Sequence, residues 1–572
     1  MTDRNESPQP QMHWTRHAQR RVEIAALDRE LDPQEFHILG GGVAGLVAAY
    51  EILRLRPRGS KHRVALYEAT SRVGGRINTA RLGEKPPEGE PDTRPYFERG
   101  AMRIPTSHDY TWAYASESGL KRRRFLNDER SLDFGGKVYP AADARAVAKE
   151  QYGFELAPDR SPGDLFRRLV MEPELEGLDR AYGSRSAWAE KLVAGNISGE
   201  ELQRIDRMTL EQVLEERLGR LPGRPKNFLA DLLFPGLVDR AFLYFVRNTV
   251  TNFGDLYELC ETHPGGIVTG GMDLLIAGLR KKIEELDPSC IQLGRVVTQI
   301  KTDPNGEWEV LFEDGRVVKR GGSSKRHLLC TLPFSLLRHQ DMKLVGFEGK
   351  IAAIRGISYV PATKVALHVR ERFWETRSNY KGGRSLADKS ITQTYFPNDH
   401  SRVEEIGAAA EETHAAYDLY TQPSQTLSEA EAASLAACEA GKGPWLMLSS
   451  YTLGAKAVEM GKKPPLATVP DLERVFGKLD SLVEEKFSET WHWDDKPFVR
   501  GAVTVPAPLD VSRFYRDARS PYCSIFFAGD HLSPDPGWIQ GSAYSALYAV
   551  EHIQRTLLGR GEPKETDHDG NA

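Results

Sequence analysis

One feature near the start limits what this chain can fold into more than any other: a strand, a glycine turn, a helix and a second strand in direct succession. An apolar run at 36–39 ends in Gly40-Gly41-Gly42, a helical pattern covers 43–55, and a second apolar run at 64–67 stops at Glu68. The 33 residues from 36 to 68 have the size of a right-handed crossover between parallel strands. The spacing Gly40-x-Gly42-x-x-Gly45 suits a tight turn, a close backbone approach to a pyrophosphate, and close packing of helix on strand. The helix N-terminus adds unpaired N–H groups and a partial positive charge for the phosphates. Glu68 ends the second strand, where a carboxylate accepts ribose hydroxyls and repels a 2′-phosphate, which disfavours NADP. The chain is expected to bind a dinucleotide.

The rest of the composition narrows the class. At 572 residues the chain exceeds one compact core, so about two to four domains are expected. The 76 Lys+Arg and 81 Asp+Glu leave a net charge of −5, which argues against nucleic-acid binding through bulk charge. No run approaches the ~18 apolar residues of a membrane span, and the first residues lack the apolar core of a secretory signal. Cys260, Cys290, Cys330, Cys438 and Cys523 are scattered without CxxC or zinc spacing, so neither a disulfide framework nor a metal site is expected. The chain reads as cytoplasmic and reduced.

Residues 16–29 carry an amphipathic helical pattern that docks on the body, and 141–260 reads as helical, most clearly over 202–218. Strand patterns fall at 296–300, 308–312 and 327–330, and again at 364–369, 390–396 and 445–450. The Ala/Glu-rich segment 400–442 favours exposed helix. A last strand at 524–528 leads through a loop to a helix at 541–558, so one domain is assembled from discontinuous pieces.

Beyond Glu68 the chain reads Arg72-Val73-Gly74-Gly75-Arg76, flexible backbone flanked by guanidinium groups that can grip a pyrophosphate. With this run the sequence resembles the flavin-containing amine oxidase family, whose members bind FAD. The resemblance covers roughly 36–556 and includes Gly270-Gly271-Met272 and the pair Val296-Val297, where Val297 would contact adenine. It also includes the closing segments Phe526-Phe527-Ala528-Gly529-Asp530 and Gly537-Trp538-Ile539-Gln540-Gly541-Ser542. The fold implied is α/β (α+β): a discontinuous Rossmann-like FAD-binding domain (36–105, 265–335, 500–560), a substrate domain with a mixed sheet (106–140, 336–499) and a helical domain (141–264), after an N-terminal helical extension (1–35). The cofactor contacts implied are Gly40, Gly42, Gly45, Glu68, Arg76, Met102, Arg103, Val297, Trp493, Gly529, Asp530, Gly537, Trp538 and Ile539. Trp491 competes with Trp493. Monoamine oxidases attach FAD to a cysteine where this chain reads Val499-Arg500-Gly501-Ala502-Val503, so the flavin is expected to be non-covalent.

The run Gly100-Ala101-Met102-Arg103-Ile104-Pro105 resembles an element of the L-amino-acid oxidases and tryptophan 2-monooxygenase, in which the arginine binds the substrate carboxylate. Tyr451 resembles its partner, although Lys456 stands where the family has an acid; an interfacial core tyrosine is the alternative. Pro361-Ala362-Thr363-Lys364-Val365 resembles the strand whose lysine reaches a water beside flavin N5, so Lys364 and Trp538 are the implied catalytic residues. Trp538 would also wall the substrate, with Asp535 available to a cationic side chain. The resemblance implies oxidation of an L-amino acid to a 2-oxo acid, ammonia and hydrogen peroxide by a homodimer or higher homo-oligomer, with O2 and the amino acid as small-molecule partners. The alternatives are a 2-monooxygenase giving an amide, a monoamine or polyamine oxidase, and a flavin-fold scaffold.

Overall fold

The computed structural model describes residues 14–56, 62–158, 160–252, 254–321, 325–406 and 444–563. Helix α1 (Trp14–Asp28) precedes strand β1 (Glu35–Leu39), helix α2 (Val43–Leu55) and strand β2 (Arg63–Tyr67), so the β-α-β unit forms where the glycine spacing puts it. Strands β3 (Ile291–Gln292), β4 (Arg326–Cys330) and β5 (Ile525–Phe527) complete a five-stranded sheet in the order β3-β2-β1-β4-β5. Every neighbouring pair in it is parallel, and its strands come from three distant parts of the chain. Helix α2 is buried on all sides over 43–53, as expected of an apolar crossover helix between a parallel sheet and another helix. That covering helix is α3 (Ile539–Leu557), which shares one core with α2. Helix α1 docks on the same layer through ion pairs from Arg20 to Glu551 and from Arg21 to Glu51, both 2.8 Å.

A second, seven-stranded sheet is mixed, in the order Val483–His492, Ala362–Val369, Trp445–Leu453, Gln393–Tyr395, Arg384–Ala387, Glu129–Phe134 and Lys137–Pro140. Ala362–Val369 is buried at every position, with a strand on either side. Its neighbour Val483–His492 is a charged edge strand, which keeps an exposed sheet edge from pairing with other chains. The expected strand at 390–396 shortens to Gln393–Tyr395, because Thr392 takes a left-handed φ of 55°.

Helices between 144 and 251 form a layer with its own core. The pattern read as one helix over 202–218 is two, Glu200–Arg207 and Leu210–Leu218. Thr209 breaks it by capping the second helix: its hydroxyl accepts from Gln212 N while the Gln212 side chain accepts from Thr209 N. The helical segment also ends before 260, in strand Leu256–His263. Of the expected helix in 400–442, residues 407–442 lie outside the described residues. No helix among the described residues is long and apolar enough to cross a membrane.

Candidate active site

A cavity of about 490 Å³ runs from the glycine turn after β1 to the strands of the mixed sheet. At its first end the site is made of backbone. Gly40 has a φ of 101°, and a Cβ on Gly45 would stand 2.0 Å from Gly40 O, so any side chain there would drive α2 off the turn. Gly42 caps α2 and has nothing within 4 Å of where a Cβ would be, so the backbone lies open to the cavity. The Glu68 carboxylate accepts from Gly41 N at 2.9 Å and from Thr70 N and Oγ1 at 2.9 and 2.8 Å. Val297, at the start of strand Val297–Thr302, lines the same end. An open helix N-terminus beside a fixed carboxylate at the edge of a long cavity fits the pyrophosphate and ribose of a dinucleotide.

Further along, the two arginines of Arg72-Val73-Gly74-Gly75-Arg76 divide. The Arg72 guanidinium is absorbed by the carbonyls of Val73, Gly75 and Ile77 at 2.8–3.3 Å and holds the loop together. Arg76 lines the cavity, donates to Ala502 O at 2.9 Å and forms a two-pronged ion pair with Asp530. Burial opposes ionisation of Asp530, yet Arg76 and His531 hold its carboxyl well below the usual carboxylate range. Asp530 Oδ2 also accepts from Gly537 N at 3.0 Å, which ties the loop before α3. Trp538 is the N-cap of α3; its ring meets that of His108 edge-on at 5.0 Å, and Trp538 and Ile539 both face the cavity.

The far end is made of side chains. Lys364, 4 % exposed, points Nζ at the carbonyls of Glu98 and Gly100 at 2.9 and 2.6 Å, and stands 5.0 Å from the centre of the Tyr451 ring. Burial pushes its pKa down, while Glu98 pulls it up. The Glu98 carboxyl is itself pushed up by burial, and it accepts from Met272 N at 2.7 Å and from Thr79 Oγ1 at 2.9 Å. The Gly270-Gly271-Met272 element thereby anchors the wall that Lys364 grips. At Gly100 the backbone passes so near that a Cβ would lie 1.6 Å from Arg76 O.

Three residues later Arg103 is half-buried, and its Nη1 donates to Asn127 Oδ1 at 3.0 Å and Tyr395 OH at 3.2 Å. It is electrostatically coupled to both Lys364 and Tyr451, which line the cavity. Burial pushes the Tyr451 phenol up to about 12, with Arg103 pulling the other way. Of the two competing tryptophans, Trp493 lines the cavity and donates Nε1 to Arg99 O at 2.9 Å, whereas Trp491 is stacked under Arg99 and Lys496.

The structure thus brings Gly40, Gly42, Glu68, Arg76, Val297, Lys364, Tyr451, Trp493, Gly529, Asp530, Gly537, Trp538 and Ile539 onto one cavity wall. It does not bring Met102 or Arg103 there: Met102 sits in an apolar cluster with Phe97, Phe125 and Tyr395, and Arg103 stands with Asn127 and Tyr395 beside the lining residues Lys364 and Tyr451. Nor does it bring Asp535, which is 7 % exposed and electrostatically coupled to the buried Arg247, so a protein cation already faces it. Gly45 acts through packing alone. Asn127, Tyr395, His108 and Glu98 are the functional candidates that the sequence reading missed. Tyr395 had a signal, a tyrosine inside an apparent strand, but nothing in the text of the chain tied it to Arg103.

Residues 43–554 match the family described as flavin containing amine oxidoreductase. The chain is 29% identical to the flavin-dependent L-tryptophan oxidase RebO of Lentzea aerocolonigenes, over 90% of this chain and 97% of that protein. It is 25% identical to an L-glutamate oxidase precursor of Streptomyces viridosporus, over 92% and 86% respectively. Among solved structures it resembles a putrescine oxidase bound to putrescine (TM-score 0.58, 15% identity, 92% of this chain and 99% of that chain). The cyclohexylamine oxidase of Brevibacterium oxydans IH-35A gives the same TM-score, 0.58, at 15% identity over 92% of this chain and 100% of that one. At such identities the structures establish the fold alone.

Proposed function

The chain belongs to the flavin-containing amine oxidoreductases, and from that premise we propose that it deaminates L-amino acids oxidatively, with FAD as cofactor, to 2-oxo acids, ammonia and hydrogen peroxide. The observation that carries the substrate class is the state of Arg103. Only its Nη1 is engaged, by Asn127 and Tyr395; its remaining N–H groups make no hydrogen bond among the described residues. A planar fork with spare donors matches a carboxylate, which an amine substrate would lack. The named relatives, an L-tryptophan oxidase, an L-glutamate oxidase and L-amino-acid oxidases, support the same class.

Gly42, the N-terminus of α2, Glu68 and Val297 would hold the adenosine and pyrophosphate end of FAD, with Arg76, Asp530, Trp493 and the N-terminus of α3 at the flavin end. No cysteine among the described residues lines the cavity, which supports non-covalent binding. When bound, FAD supplies a two-electron acceptor for the substrate Cα–H and a path for those electrons to dioxygen, released as hydrogen peroxide. Arg103 and Tyr451 fix the substrate carboxylate, an orientation that lowers the barrier. Lys364 holds the carbonyls of Glu98 and Gly100, and so the loop that ends in Arg103; its lowered pKa lets Nζ hold or release a proton near neutral pH. Trp493 and Trp538 wall the cavity against water. Water then hydrolyses the released imino acid. A reducing cytoplasm belongs to the same reading, in keeping with the buried thiols of Cys260, Cys290 and Cys330, and light scattering tests the homo-oligomeric state.

A panel of L- and D-amino acids with the FAD-loaded protein tests the reading. Peroxide and 2-oxo acid from L-amino acids alone are expected. An amide product would make the protein a monooxygenase, and turnover restricted to amines without a carboxylate would overturn the proposal.

A further inference from the structure

We propose that Tyr395, with Asn127 as companion, is the positioning residue that sets the orientation of Arg103 for the substrate carboxylate. The inference rests on the reading of Arg103 as that carboxylate's ligand. Tyr395 is 3 % exposed, on a three-residue strand inside the mixed sheet, where a phenol needs partners. Its hydroxyl donates to Gln393 Oε1 at 2.9 Å, which fixes the proton and turns the oxygen lone pairs toward an incoming donor. That donor is Arg103 Nη1 at 3.2 Å. Asn127, also 3 % exposed, accepts from the same nitrogen at 3.0 Å, so both hydrogens of Nη1 are committed.

The surroundings brace this arrangement. Arg384 stands directly across from Tyr395 in the strand register and is ion-paired to Glu129 at 2.6 Å. Phe125 packs against both members, 5.9 Å from the Tyr395 ring and 5.9 Å from the Arg103 guanidinium carbon. Burial works against ionisation of the phenol, yet the charges of Arg103 and Arg384 together hold it below the ordinary tyrosine range. A guanidinium pinned at one nitrogen by two buried acceptors loses its freedom to turn about its last bond. Its other N–H groups are then presented in one orientation before substrate arrives, which lowers the ordering cost of binding. Tyr395 touches neither substrate nor cofactor on this account; it acts through Arg103.

The test compares the holoenzyme with its Tyr395→Phe variant, and with Asn127→Ala in case the first fails to retain FAD. Each should raise KM for an L-amino acid, and the Kd of benzoate read from flavin absorbance, by about ten-fold or more, as expected for one hydrogen bond to a charged group. Turnover of the matching amine without a carboxylate should not change. In an Arg103→Ala background, Tyr395→Phe should add nothing further, since the residue acts only through the arginine. Unchanged KM and benzoate binding in both variants, or equal damage to acid and amine, would overturn the proposal. If the parent holoenzyme neither oxidises L-amino acids nor binds benzoate, the role of Arg103 falls first and this inference falls with it.

Discussion

The two ends of the cavity are built in opposite ways. The glycine end is backbone: an open turn at Gly42, the first N–H groups of α2, and one carboxylate, Glu68, whose oxygens are held by Gly41 and Thr70. All of it comes from a single stretch of 35 residues, 36 to 70. The arginine end is side chain: Lys364 and Tyr451 line it and Arg103, Asn127 and Tyr395 gather beside them, drawn from five separate segments that the mixed sheet and two loops bring together. Backbone sites tolerate changes of side chain but not of space; side-chain sites tolerate changes of space but not of chemistry.

That contrast can be broken by substitution at each end. The largest effect belongs to Gly45→Val. With a Cβ 2.0 Å from Gly40 O, α2 must move, and the purified protein should be colourless, with FAD absorbance lost. A yellow variant of parental FAD content would show that the turn is not spaced as described. Lys364→Met should keep FAD but slow flavin reduction or reoxidation by about ten-fold or more, because it removes a buried group able to hold a proton and the grip on Glu98 and Gly100. Rapid mixing that finds both half-reactions unchanged would make Lys364 a packing residue.

The smallest effect is on stability and marks the backbone end. Burial pushes His37 and His327, on neighbouring strands β1 and β4, down to about 4. Their folded pKa values lie below the unfolded value near 6.5, so the unfolded chain takes up protons first as pH falls. The stability they allow is complete above about pH 6.5 and is lost between there and about pH 4, on the order of 1–3 kcal/mol each. Tm should fall across that window, and His327→Gln should flatten the fall. An equal slope in the variant would remove the histidine from the account.

The same contrast explains what could be read in advance. The glycine turn, α2 and β2 were legible because their rules are local: glycine spacing, apolar periodicity and a terminal acid. Strand Val483–His492 was not, since an edge strand rich in glutamate and lysine lacks the alternation that marks a half-buried one. The break at Thr209 was missed because a capping box can interrupt a continuous amphipathic pattern. At the arginine end, Arg103, Lys364 and Tyr451 came from resemblance to a family, and Tyr395 and Asn127 came from neither source. Their role depends on a register that places Arg384 opposite Tyr395 and on a loop that brings Asn127 to Arg103. Met102 and Asp535 lie off the cavity lining, because a place in the sequence beside Ala101 or near Trp538 does not carry a side chain to the same surface.

The central claim is that Arg103 reads a carboxylate, and one comparison tests it most directly. For the holoenzyme and its Arg103→Ala variant at equal FAD content, kcat/KM is measured for an L-amino acid and for the amine that lacks only its carboxylate. Loss of a charge-assisted contact of roughly 1.5–3 kcal/mol predicts a fall of about ten- to a hundred-fold for the amino acid. Part of that fall should lie in kcat, because a misplaced Cα–H is a misplaced reacting bond. The amine, already a poor substrate for the parent, should be nearly indifferent to the change. Equal losses for both substrates would contradict the account and make Arg103 a structural residue of a generic amine oxidase.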